Sequence, residues 1–269
     1  MEVIKTIEQY KRLALDKVVD YTKYNQHTLS FHSTALEGST LTETETYLLL
    51  DEGITPKGKK LEDSLMVKDH YQALLFTLQV ADKNEKITVE LIKKMNAEVL
   101  KSTGKMYYTA LGDIDSTKGE LRKGNVRAGN RYFPNYDKVP KLLEQYCLAL
   151  NEHIKITNKK DVVEQLKISF SAHYNLVSIH PFYDGNGRTS RLMMNFIQQQ
   201  FKLPLAIVDK EDRNEYIEVL EKSRKTNEIN YFYDFMFTQY IKFLKNDMDK
   251  YIQQTQNKNK KDSGMNFLW

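Results

Sequence analysis

Apolar residues return at helical spacing along most of this 269-residue chain, and that periodicity restricts it to an all-α class. Leu65, Val67, Tyr71, Leu74, Leu75 and Leu78 make one stripe; Leu91, Ile92, Met95 and Val99 make another behind Thr88. Leu142, Leu143, Tyr146, Leu150 and Ile154 form a third, and Val162, Val163, Leu166, Phe170, His173 and Val177 a fourth. Leu192, Met193, Phe196 and Ile197 follow, and helices over 211–222 and 231–245 complete the set. Nearer the N-terminus, Ile4, Ile7, Leu13, Val18 and Val19 predict a first helix. Leu29, Phe31 and Leu36 predict a second, stopped by Gly38, which takes positive φ at no steric cost. Thr42-Glu43-Thr44-Glu45 then reads as a capping box ahead of Tyr47, Leu48, Leu49 and Leu50. Eleven glycines and five prolines are too few for a turn-dense β chain. From Gln253 to Ser263 the chain is polar and Lys/Asn-rich, so fraying is expected there.

The periodicity fails between Ser102 and Asp137, where Gly104, Gly112, Gly119, Gly124 and Gly129 fall. The stretch 121–132 reads as a β-hairpin with Gly124-Asn125 or Ala128-Gly129 near its turns. An irregular insert of this length inside a helical domain is often functional.

The chemistry concentrates in His180-Pro181-Phe182-Tyr183-Asp184-Gly185-Asn186-Gly187-Arg188-Thr189-Ser190-Arg191, between two strongly helical segments. Pro181 disfavours helix at His180, so the preceding helix is expected to end there. Gly185, Asn186 and Gly187 allow a turn whose amides, together with a helix N-terminus, suit a phosphate. Arg188 and Arg191 share one face of the first helical turn and could grip phosphate oxygens with two forks. Cations there oppose the helix dipole, so stability alone does not account for them. Asp184 offers a hard oxygen ligand for Mg²⁺ on a polyphosphate, and His180 a base near neutral pH. Each part has a plainer reading: a structural histidine, an ordinary turn, a helix cap at Asp184. Their order and density carry the argument.

The rest of the composition excludes more than it assigns. A net charge of +4 is too small to point to nucleic acid, which is not an expected partner. The single Cys147 rules out an intrachain disulfide and a thiolate zinc site, and is expected to be inert core. His27, His32, His70, His153 and His173 lack metal-ligand spacing; His173 reads as packing or as support for the motif turn. No apolar run approaches the ~18 residues of a membrane span, and the polar N-terminus is not a signal peptide. The expectation is a reduced, cytoplasmic protein without a membrane partner; homo-oligomerisation is left open.

The run from His180 to Arg191 resembles the signature of the Fic family, H-P-F-x-D/E-G-N-G-R-x-x-R, at every specified position. Gly119-Glu120-Leu121-Arg122 and Val126-Arg127-Ala128-Gly129 resemble that family's flap sequences, and Phe133-Pro134 leads on to the helix before the motif. The resemblance implies a Fic-fold helical bundle over residues 65–245 with a β-hairpin flap at about 119–132. An N-terminal helical region over 1–64 and a polar tail over 246–269 would flank it. It implies that ATP is the substrate and Mg²⁺ the cofactor. His180 would deprotonate a target hydroxyl, Asp184 would hold Mg²⁺, and Gly185, Asn186 and Gly187 would form the anion hole. Arg188 and Arg191 would hold the β- and γ-phosphates, and Phe182 would anchor the loop. Gly187 and Arg188 match the adenylyltransferase-like form of the loop, not that of kinase-type relatives. Tyr216 and Arg224 sit where the family often contributes to the adenine pocket; Tyr216 reads equally well as a packing aromatic. The partner implied is a protein presenting a Ser, Thr or Tyr hydroxyl along the flap as an added strand, with self-modification a further route.

Ser33-Thr34-Ala35-Leu36-Glu37-Gly38 alone is only a helix end with a glutamate and a glycine. Beside a complete signature it resembles the family's inhibitory motif, [S/T]-x-x-x-E-[G/N]. The resemblance implies that Glu37 pairs with Arg191, that Ser33 braces the helix, and that AMP transfer is autoinhibited. Two other readings stand beside it: AMP removal, or both reactions, using Glu37; and a regulatory ATP-binding module with negligible turnover.

Overall fold

A computed structural model describes residues 2–15, 21–129, 131–157 and 160–262, with the side chains of 254–262 left aside. Ten α-helices run through the described residues: α1 (Glu2–Arg12), α2 (Tyr21–Ala35), α3 (Glu43–Glu52), α4 (Leu61–Asp82), α5 (Val89–Val99), α6 (Val139–Ile156), α7 (Val162–Ile179), α8 (Asn186–Gln200), α9 (Arg213–Thr226) and α10 (Asn230–Asp262). The only strands among these residues are two short antiparallel pairs, β1 (Met106–Tyr107) with β2 (Ile114–Asp115) and β3 (Arg127–Ala128) with β4 (Arg131–Tyr132). The all-α expectation holds.

The architecture is organised around α8. Leu192, Met193, Met194, Phe196 and Ile197 on it are fully buried, because α7 packs on one side and α4 on the other. A helix buried on all its faces lies in the middle of a domain. Several of its polar residues are also buried, and Asn195 among them donates to Gln198 Oε1 at 3.1 Å and to the Ala206 carbonyl at 3.0 Å. α2 lies across α4 and reaches α8, which brings the N-terminal region to the signature turn.

Local signals place most boundaries. Thr42 and Glu45 form the reciprocal cap of α3, with the Thr42 amide donating to Glu45 Oε2 at 2.7 Å and the Glu45 amide to Thr42 Oγ1 at 3.2 Å. Thr88 caps α5. Gly38 ends the turn after α2 at φ +102°. The first helix is shorter than its apolar spacing predicts: it stops at Arg12, and Ala14 turns left-handed at φ +47°. Val18 and Val19 lie outside the described residues. At the other end α10 continues to Asp262 through the stretch expected to fray, and Asp247 and Met248, just past residue 246, are buried. No helix among the described residues is long and apolar enough to cross a membrane.

Candidate active site

The turn 180–185 joins α7 to α8, and both ends are held by backbone geometry. His180 caps α7 in the left-handed region (φ +53°, ψ +61°), as Pro181 requires the helix to end there. Gly185 starts α8 at φ +76°, and a Cβ on it would meet Asn96 Nδ2 of α5. That amide donates to the Asp184 carbonyl at 3.1 Å and to Thr189 Oγ1 at 3.2 Å, fastening the turn to α5. Asn186 turns inward: its side chain accepts from the Phe182 amide at 3.0 Å and donates to the Phe182 carbonyl at 2.9 Å. Its side chain braces the loop, so only its backbone amide remains open toward the turn. Phe182 is buried as expected of an anchor.

Among the described residues no side chain caps the first amides of α8. Over them sits Glu37, delivered by the end of α2: a Cβ on Gly187 would collide with Glu37 Oε1. The same oxygen accepts from Arg191 Nη2 at 2.7 Å. Arg191, 1% exposed, also donates from Nε to Ser33 Oγ at 2.9 Å and from Nη2 to the Ser33 carbonyl at 2.8 Å. Ser33 therefore grips the arginine directly and does more than brace its own helix. Burial works against a charged Glu37, yet Arg191, Arg188 and Arg213 together hold its carboxyl below the usual carboxylate range. Arg213 also donates from Nε to the Leu36 carbonyl at 2.7 Å, so the end of α2 is held from both sides.

Arg188 is buried, and only its Nη2 has a partner, Asp184 Oδ1 at 3.3 Å; Nε and Nη1 have none among the described residues. Buried guanidinium donors without acceptors are costly, and an anion would satisfy them. The Asp184 side chain is half-exposed at the mouth of the site, and its Oδ1 also accepts from the Gly185 amide at 2.6 Å. His70 of α4, 1% exposed, lies among these charges, and neither ring nitrogen has a hydrogen-bond partner among the described residues. Burial, then Arg191 and Arg188, keep it neutral.

His180 stacks on Phe133 with ring centroids 3.7 Å apart, and the Arg131 guanidinium lies 4.1 Å over the other ring centre, that of Phe133. Burial is the main force that pushes the His180 imidazole down to about 4; Arg131, Arg122 and Arg224 add to it, and the Val177 backbone opposes it. The imidazole is neutral at pH 7. Arg131 comes from the β3–β4 hairpin, which turns at Gly129 as the second of the two expected turn positions. Beside it a cavity of about 470 Å³ is lined by Arg131, Tyr132, Ser178, Glu221, Arg224 and Lys225. Arg224 thus lines this cavity together with Arg131. Tyr216 does not line it: the ring is 5% exposed, and its hydroxyl is 2.7 Å from His173 Nε2, behind Arg191. Tyr216 packs against His173, whose imidazole stacks on Phe232 and is pushed down to about 3 chiefly by burial.

Sequence reading missed three contributors. Asn96 sits beside an apolar stripe with nothing to mark it. His70 is one histidine among several. The β1–β2 pair places Tyr107 against Tyr183 of the signature, stacked at 4.6 Å. Among the described residues no group of three metal-ligating side chains forms.

With that geometry in place, comparison with known proteins is direct. Residues 86–198 match the model of the Fic/DOC family, and the chain belongs to that family. A curated relative from Drosophila yakuba, named protein adenylyltransferase Fic, is 30% identical over 199 residues, which is 74% of this chain and 37% of that protein. The chain thus spans little more than a third of that relative's length. A Fic domain-containing signaling protein from Bacteroides thetaiotaomicron superposes with a TM-score of 0.74 at 22% identity, covering 92% of this chain and 95% of that one. Fic-1 from C. elegans gives 0.73 at 22% identity, covering 94% and 72%. These two structures share the fold.

Proposed function

We propose that the chain is a protein adenylyltransferase held inactive by its own Glu37. The observation that carries this reading is the Glu37 carboxylate, seated on Gly187 over the open amides of α8 and paired with Arg191. A carboxylate there stands where a phosphate would otherwise bind. The relative named protein adenylyltransferase supports ATP as the nucleotide and a protein as acceptor.

In the released state Arg191 and Arg188 grip the distal phosphates, and the first amides of α8 steady the α-phosphate. His180 takes the proton of a Ser, Thr or Tyr hydroxyl held along the β3–β4 hairpin. The oxygen bonds to the α-phosphorus, the bond from that phosphorus to the β-phosphate bridging oxygen breaks, and pyrophosphate leaves. AMP remains on the hydroxyl. General-base help of this kind is worth about 10²–10⁴-fold, with positioning and charge stabilisation supplying the rest. Asp184 fits Mg²⁺: it is a half-exposed carboxylate beside an arginine whose Nε and Nη1 have no acceptor among the described residues. The metal, taking its other ligands from phosphate and water, would neutralise polyphosphate charge. Glu37 blocks the sequence by withholding Arg191 from the γ-phosphate.

The test is transfer of label to protein by Glu37→Gly. Label from α-³²P-ATP should be incorporated and label from γ-³²P-ATP should not, and Glu37→Gly/His180→Ala should lose incorporation. Incorporation of the γ-label would make the reaction phosphoryl transfer and overturn the reading.

A further inference from the structure

We propose that Arg122 is the positioning residue that fixes the catalytic turn and couples it to the hairpin. The proposal rests on the reading of His180 as the base. Arg122 is 2% exposed, and among the described residues no carboxylate pairs with it. Its guanidinium spends its donors on three backbone carbonyls from three segments: Nε to His180 at 2.8 Å, Nη1 to Gly124 at 2.8 Å, and Nη2 to Pro134 at 2.5 Å. Its own amide donates to the Pro181 carbonyl at 3.0 Å.

The choice of acceptors is informative. Gly124 and Pro134 lie on the two arms that flank β3 and β4, so Nη1 and Nη2 close the base of the hairpin. Nε and the backbone amide then clip that base to His180 and Pro181. His180 occupies a left-handed conformation that sterically disfavours any residue with a Cβ, and such a conformation lasts only where its surroundings over-determine it. Four constraints do so: the His180 amide bonded to Leu176, the ring of Pro181, the Phe133 stack, and Arg122 on the carbonyl. Two of the four, Arg122 and Phe133, come from the hairpin arms. A segment docked on the hairpin therefore bears on the geometry of the base.

A buried cation compensated only by carbonyl dipoles is a poor device for stability, since a neutral residue would avoid the desolvation. Its planar fork is a good device for fixing three chain segments relative to one another. Lysine carries the charge but offers a point donor that cannot span three carbonyls.

The test uses Arg122→Lys and Arg122→Gln, each in the otherwise native chain and with Glu37→Gly, with melting temperatures to establish folding. The first readout is the pH titration of the His180 imidazole by NMR, taken without nucleotide or transfer, so a failure of the adenylyltransferase reading leaves it intact. Both variants should move that titration upward and broaden the ring resonances. With Glu37→Gly, the single-turnover labelling rate at saturating ATP should fall by about 10²-fold, the size of effect a misplaced catalytic group produces, while ATP affinity by calorimetry stays the same. Should Arg122→Gln not fold, Arg122→Lys decides. A lowered melting temperature with the His180 titration and the rate unchanged would make Arg122 a purely structural residue and overturn the proposal.

Discussion

Replacing Ser33 by alanine isolates one strand of the proposed inhibitory contact. In the resting protein the Ser33 hydroxyl is fully buried and accepts from Arg191 Nε at 2.9 Å. A hydrogen bond to a charged group contributes about 1.5–3 kcal/mol, and in Ser33→Ala the buried Nε is left unpaired. In the proposed released state Arg191 sits on phosphate and that bond is absent, so its loss falls on the resting state alone. The Ser33 carbonyl and Glu37 still hold Nη2, which places the effect at the lower end, about 1.5–2 kcal/mol or roughly 10- to 30-fold in the resting-to-released ratio. Self-labelling from α-³²P-ATP should rise by that factor, and the melting temperature should fall by a few degrees. Labelling at the wild-type level with the melting temperature unchanged would refute the reasoning, because it would mean that Ser33 contributes nothing to the hold on Arg191.

Two further outcomes follow from the same geometry. Arg213→Ala removes the bond to the Leu36 carbonyl and a charge that keeps Glu37 ionised, so it should activate labelling several-fold, less than Ser33→Ala; no change would place the restraint wholly on the Arg191 side. Acid should destabilise the fold before carboxylates titrate: His180 (about 4) and His173 (about 3) sit below the unfolded value of about 6.5, so the unfolded chain binds their protons first and stability is lost as pH falls from about 6.5 toward 4, by about 3 kcal/mol for His180 alone. A melting temperature that stays flat over that window would contradict the burial of these rings.

The parts of the site that can be read from sequence are those whose chemistry is local. The signature turn, with Pro181 ending one helix and Gly185 beginning the next, follows from backbone sterics at those residues. The capping box at Thr42 and Glu45 is of the same kind. The Glu37–Arg191 pair spans 154 positions, and only a resemblance between two separate motifs connects it in sequence. Asn96, His70 and Tyr107 had no such help. Each acts through neighbours brought together by α4, α5 and the β1–β2 pair, and an amide or ring in one element has no sequence mark that tells which turn it will touch. Asn186 shows the reverse case: its place in the turn was legible, but the inward direction of its side chain is set by the Phe182 backbone. Val18 and Val19 continue an apolar pattern in sequence, yet the helix ends at Arg12, where the backbone turns left-handed two residues later at Ala14.

The central claim is that Glu37 holds an otherwise complete site shut. The measurement that bears on it most directly is the single-turnover labelling rate of the native chain against Glu37→Gly at equal protein and saturating ATP. Loss of a charge-assisted bond to Arg191 should raise the rate by at least about tenfold with ATP binding retained. Equal rates in the two proteins, each shown to bind ATP, would contradict it.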